Sequence, residues 1–145
     1  MLVEGYEALA VALSAALKEF ARGYDTRVVR SVDEAEALLD VVAPRLLVID
    51  CDPPPRRSAK FFQRVRSMHP DARVLVIAAE NSGEFKVEEA HASALHFMRK
   101  PFDLAEFGGA VRALLDSGRN GARGNIRRLR LPDMVAFYVI TAAAV

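Results

Sequence analysis

The chain has 145 residues, 52% of them apolar, with 20 Lys+Arg against 19 Asp+Glu and a net charge of +1. That length buries one core of ordinary size, and the charge balance excludes a globally basic nucleic-acid coat or an acidic disordered tail. A single Cys excludes an intramolecular disulfide framework and a cysteine-rich zinc site.

Residues 1–3 are short for a strand but apolar, and a first strand ending at Glu4 is expected there. Leu9, Ala12, Leu13, Ala16, Leu17 and Phe20 then recur at helical spacing, which predicts a helix over about 6–22, ended by Gly23. Thr26–Arg30 is β-branched and strand-like. Ser31 and Glu34 have the spacing of a capping box, and the helix they open carries Ala35, Leu38, Leu39 and Val42 on one face before Pro44 stops it. Leu46-Leu47-Val48-Ile49 and Val74-Leu75-Val76-Ile77-Ala78-Ala79 are continuous apolar runs, the pattern of strands buried on both faces. A helix over about 58–69, with Phe62 and Val65 inward, separates them. A helix over about 84–93, a short strand from Leu95 to Met98, and a helix capped by Asp103 and Glu106 follow. That helix carries Leu104, Phe107, Val111, Leu114 and Leu115 on its inner face.

Alternating strands and helices predict an α/β fold, a parallel sheet with helices on both faces. The expected domain spans 1–117. A basic Gly/Arg linker follows over 118–130, with Arg119, Arg123, Arg127, Arg128 and Arg130 and no acid between 119 and 130. An apolar segment covers 131–145. It reads as a helix from Pro132 or Asp133, with Val135, Tyr138, Val139 and Ala142 on one side; alternatively, Gly124 to Met134 is a strand and turn opening an output domain. Such an apolar segment needs covering, by the domain itself or by a second copy, and a homodimer is expected through it or through the last two helices. The run Met134–Val145 is 12 residues long, short of the ~20 that span a membrane, and the N-terminus has no basic-then-apolar signal. A soluble cytoplasmic protein is expected.

In parallel sheets ligands bind beyond the carboxyl ends of the strands. Asp50 ends one apolar run, and a carboxylate there is costly unless a cation, a metal or donors compensate it. Lys100 ends another strand, before Pro101. Together they describe a phosphoryl or anion site.

These segments resemble a family. Arg45-Leu-Leu-Val-Ile-Asp50-Cys-Asp-Pro-Pro54 is similar to the third strand of a response-regulator receiver domain. Ser93-Ala-Leu-His-Phe-Met-Arg-Lys100-Pro101-Phe102 is similar to its fifth strand and Lys-Pro-Phe motif, and Arg73–Ala79 to its fourth strand. The resemblance covers about residues 2–117. It implies a flavodoxin-like five-stranded parallel sheet of order 2-1-3-4-5 and a role in two-component (phosphorelay) signal transduction. Asp50 would accept a phosphoryl group from a histidine kinase or phosphotransfer protein. Lys100 would bind Asp50 or the phosphoryl oxygens, and Phe97 would be the switch aromatic. Glu4, Asp50 and the Asp52 carbonyl would hold Mg²⁺. An output protein or downstream domain would receive the signal.

Two departures weaken the pattern. Where the family has an acid pair, this chain has Glu4 and Gly5. Where the family has a Thr or Ser that binds the phosphoryl group, it has Ala78, which donates no hydrogen bond. The implied module is an atypical receiver with an impaired Mg²⁺ site and switch. One alternative is a phosphorylation-independent interaction and dimerisation module. A remote one is a haloacid-dehalogenase-type phosphatase using Asp50 as nucleophile and Asp52 as acid/base; Lys100-Pro101-Phe102 favours the receiver, which is not an enzyme. The arginines of 119–130 lack interleaved aromatics or a recognition motif, so nucleic acid is not the expected partner.

Overall fold

The structure is a computed structural model that describes residues 3–29, 32–50, 58–79, 95–120 and 134–138. In chain order the elements are α1 (Val3–Phe20), β1 (Asp25–Val29), α2 (Val32–Leu39), β2 (Pro44–Asp50), α3 (Ser58–Met68), β3 (Arg73–Ala79), β4 (Leu95–Lys100), α4 (Leu104–Asn120) and β5 (Met134–Tyr138). The expected helix over 84–93 and the Ser31 half of the capping box lie outside the described residues.

The strands form one parallel sheet of order β1-β5-β2-β3-β4. Continuous apolar runs place β2 and β3 inside it. Leu47, Ile49, Val74 and Val76 face α2 and α3, packing on Ala35, Leu39, Phe61, Phe62 and Val65. Leu46, Val48, Leu75 and Ile77 face α1 and α4, packing on Leu13, Leu17, Phe107, Val111 and Leu114. Helices cover both faces because neither face of these strands carries a polar row.

Local signals set the helix ends. Gly23, at φ 92°, closes the turn after α1, a conformation costly for any residue with a Cβ. At the start of α4 the Asp103 carboxylate accepts from the Glu106 amide at 2.7 Å, and the Glu106 carboxylate accepts from the Asp103 amide at 3.0 Å. The two bonds are the reciprocal capping box expected there. His69 ties the end of α3 to α2, its Nε2 lying 3.0 Å from the Leu39 carbonyl oxygen. Arg64 on α3 pairs with Asp40, just after α2, at 2.6 Å.

Helices α1 and α4 touch closely through Gly108. A Cβ there would meet the Phe20 ring at 2.6 Å, and the Arg112 guanidinium sits 4.9 Å from the centre of that ring.

Three expectations are corrected. Of the expected N-terminal strand, Met1 and Leu2 lie outside the described residues, and Val3 is helical. Val3–Phe20 is helical, so Glu4 and Gly5 sit in the first turn of α1 rather than after a strand. Three apolar residues are too few for a lasting ladder, and the Ala/Leu/Glu-rich run that follows favours helix. The slot for that strand, second in the sheet, is filled by Met134–Tyr138. The C-terminal apolar segment therefore contributes a strand, not the helix its spacing allowed, and α4 runs past residue 117 to Asn120. Finally, Ala12 and Leu104, assigned to inner helix faces, are exposed, whereas Phe61 is fully buried.

Candidate functional site

Asp50 and Lys100 end β2 and β4 at the carboxyl edge of the sheet, with β3 between them. Strand spacing puts the two backbones about 10 Å apart, so only a long side chain closes the gap. Register aligns Asp50 with Ile77 and Lys100 with Ala79, and both belong to the alternation that faces α1 and α4. The Lys100 ammonium donates to both Asp50 oxygens, at 2.9 and 2.8 Å. The Asp50 side chain is 4% exposed and that of Lys100 21%. Beyond Lys100 the Lys100–Pro101 peptide is cis, and the Phe102 ring packs 6.1 Å from Phe107, anchoring the end of β4 to the α4 side of the core.

A carboxylate this buried is expensive without a partner. The fold keeps Asp50 in place with a doubly hydrogen-bonded cation that retains some contact with water. The result is a buried carboxylate with a cation against both its oxygens, a charge arrangement able to hold an anionic group at the sheet edge.

Ala78 and Phe97 lie on the opposite alternation. Phe97 pairs with Val76, and Ala78 pairs with Arg99. Ala78 is half-buried and carries no hydroxyl. Phe97 is 55% exposed, so its ring is not the core residue that simple packing would make it. The neighbouring His96 titrates below its ordinary value, chiefly through desolvation and secondly through the Arg73 guanidinium.

Glu4 lies in the first turn of α1, at the end of the helix away from the turn that leads into β1. Asp52 lies outside the described residues.

A family model described as the response regulator receiver domain matches residues 1–112. This chain belongs to the response-regulator receiver family. It is 30% identical over 112 residues to the transcriptional regulatory protein TrcR of Mycobacterium tuberculosis, covering 77% of this chain and 44% of that one. It is 34% identical over 90 residues to the transcriptional regulatory protein PrrA of the same organism, covering 61% and 39%. A crystal structure of NtrX from Brucella abortus in complex with ADP shares the fold, with a TM-score of 0.58 at 20% identity, over 77% of this chain and 25% of that one. The chain thus spans less than half the length of these relatives. Receiver domains are signalling modules of two-component systems, and the α/β fold is shared with the NtrX structure.

Receiver domains generally bind Mg²⁺. Magnesium takes near-octahedral oxygen ligands, usually with one or two carboxylates. Among the described residues no group of three or more His, Cys, Asp or Glu gathers. Asp50 is the buried acid, and Lys100 pairs with both its oxygens. Among the described residues no helix is long and apolar enough to cross a membrane.

Proposed function

We propose that this chain is an atypical receiver that accepts a phosphoryl group at Asp50 but transmits it poorly. The observation that carries the reading is the buried Asp50 carboxylate held on both oxygens by Lys100. In transfer from a histidine kinase or phosphotransfer protein, one Asp50 oxygen attacks phosphorus. The bond from phosphorus to the donor nitrogen breaks, and an acyl phosphate forms. Lys100 gives up that oxygen and takes a phosphoryl oxygen, a short swing for a side chain still 21% exposed.

Transmission is where the chain departs from its family. Ala78 offers no hydroxyl to the phosphoryl group, so one charge-assisted hydrogen bond, worth roughly 1.5–3 kcal/mol, is missing from the phosphorylated state. A ligand shifts a two-state equilibrium only through differential contacts. Phe97 therefore stays outward in both states. Magnesium, bound by Asp50 with help from Glu4 and the Asp52 carbonyl, is held weakly. The module works in the cytoplasm, without enzymatic turnover of its own, and passes its signal to an output protein or domain.

The test is intact mass after incubation with a small acyl phosphodonor and Mg²⁺. Addition of one phosphoryl group, absent in Asp50→Asn, is the expected result. No addition at any Mg²⁺ concentration overturns the reading and leaves the phosphorylation-independent interaction module. Turnover of a phosphomonoester would instead point to a phosphatase.

A further inference from the structure

The strand that comes last among the described elements sits inside the sheet, not at its edge. β5 pairs with β1 from Asp25↔Met134 to Val29↔Tyr138, and with β2 from Pro44↔Met134 to Ile49↔Tyr138. Among the described residues no other strand joins β1 to β2, although they follow each other in sequence with only α2 between. Every other described element precedes β5 in the chain. Until residues 134–138 enter, β1 and β2 each present an unpaired edge across a slot one strand wide. Such a slot accepts any parallel strand of suitable pattern.

Residues 121–133 connect α4 to β5. They include Gly121, Gly124 and four arginines, and only one acid, Asp133. Thirteen residues span at most roughly 45 Å. That reach exceeds the radius of a domain this size, so the strand can arrive at the slot of a neighbouring molecule as well as at its own.

We propose that the β1–β2 slot is a strand-acceptor site, and that its partner in trans is Met134–Tyr138 of a second copy of this chain, exchanged reciprocally to give a closed two-fold dimer. The ladders are the same in cis and in trans, so concentration decides between them. Belonging to the same chain gives the strand an effective concentration on the order of millimolar at its own slot. Chains folding at micromolar concentration close on themselves, and chains folding near millimolar concentration exchange. Once formed, the exchanged dimer persists, because release breaks two ladders together.

The test uses the full chain in a Cys51→Ser background, with Thr26→Cys and Val135→Cys carried on separately tagged copies. These positions are in register across β1 and β5, at a spacing that a disulfide bridges. Mixed copies are unfolded, refolded at about 10 μM to 1 mM, and oxidised mildly. The expected result is an interchain disulfide between the two tags, its ratio to uncrosslinked chain rising about a hundredfold over that range, in an assembly of twice the monomer mass. The unsubstituted chain, refolded at the top concentration, should show the same mass by light scattering and revert slowly on dilution. A strictly monomeric unsubstituted chain overturns the proposal. So does an interchain yield no higher than that of Thr26→Cys mixed with Val11→Cys, a position exposed on α1. Failure of the Thr26→Cys/Val135→Cys double variant to close within one chain at 10 μM also overturns it, by removing the register.

Discussion

Removing either partner of the Asp50–Lys100 pair should destabilise the fold, and unequally. Asp50 is 4% exposed and cannot turn to water, whereas Lys100, 21% exposed on a long stem, can. Lys100→Met removes the cation that donates to both oxygens of a buried carboxylate. Breaking a buried pair in this way costs roughly 3–5 kcal/mol, and the partial exposure of Lys100 places this case near the lower end, about 3 kcal/mol. Asp50→Asn keeps the shape and leaves a lysine that swings outward, at a cost of about 1 kcal/mol, the worth of an ordinary hydrogen bond. For a chain of this size those losses lower the melting temperature by about 10 °C and 3 °C respectively. Urea unfolding of both variants and of the double variant measures the difference, with unchanged slope as the check on two-state behaviour. The double variant should be more stable than Lys100→Met alone, since the buried charge is gone. A Lys100→Met variant within about 0.5 kcal/mol of the parent, the scatter of ordinary surface changes, or an Asp50→Asn variant that is the more damaged of the two, refutes this ranking.

Other outcomes follow from the same geometry. Gly108→Ala should destabilise the chain by about 1 kcal/mol, because pushing the Phe20 ring away from a Cβ at 2.6 Å outweighs the helix-propensity gain. In a Phe20→Ala background the sign should reverse, and equilibrium unfolding of the four proteins reads both. An NMR titration should place the His96 midpoint below 6.5, and Arg73→Gln should raise it part of the way back. The unfolded chain then binds the proton more readily, so His96 contributes stability present at neutral pH and lost as pH falls from 6.5 toward the folded value. His96→Gln should flatten that slope. Adding beryllofluoride and Mg²⁺ should leave the Phe97 resonances in place in the parent chain. Ala78→Thr should restore a response worth about one to two orders of magnitude in population, and large shifts in the parent would instead mark an ordinary switch.

Most of the scaffold was legible along the chain because it rests on local rules. The runs Leu46–Ile49 and Val74–Ala79 have no polar alternation, and a strand without a polar row must be covered on both faces, as β2 and β3 are. Asp103 and Glu106 carry their capping geometry in their spacing. Asp50 and Lys100 stood out because each is a charge that ends an apolar strand, and parallel topology brings such ends to one edge. What sequence could not settle was which segment fills the second position of the sheet. Residues 134–138 are uniformly apolar, and a short run of that kind satisfies the helical and the extended period equally. The choice depends on two edges, β1 and β2, more than eighty residues away in the chain, and on a first segment too short to hold that place. The same non-local cause moved Glu4 from a strand end to a helix turn. Patterning sets what each segment can be; only the competition for a shared hydrogen-bonding edge decides where it goes.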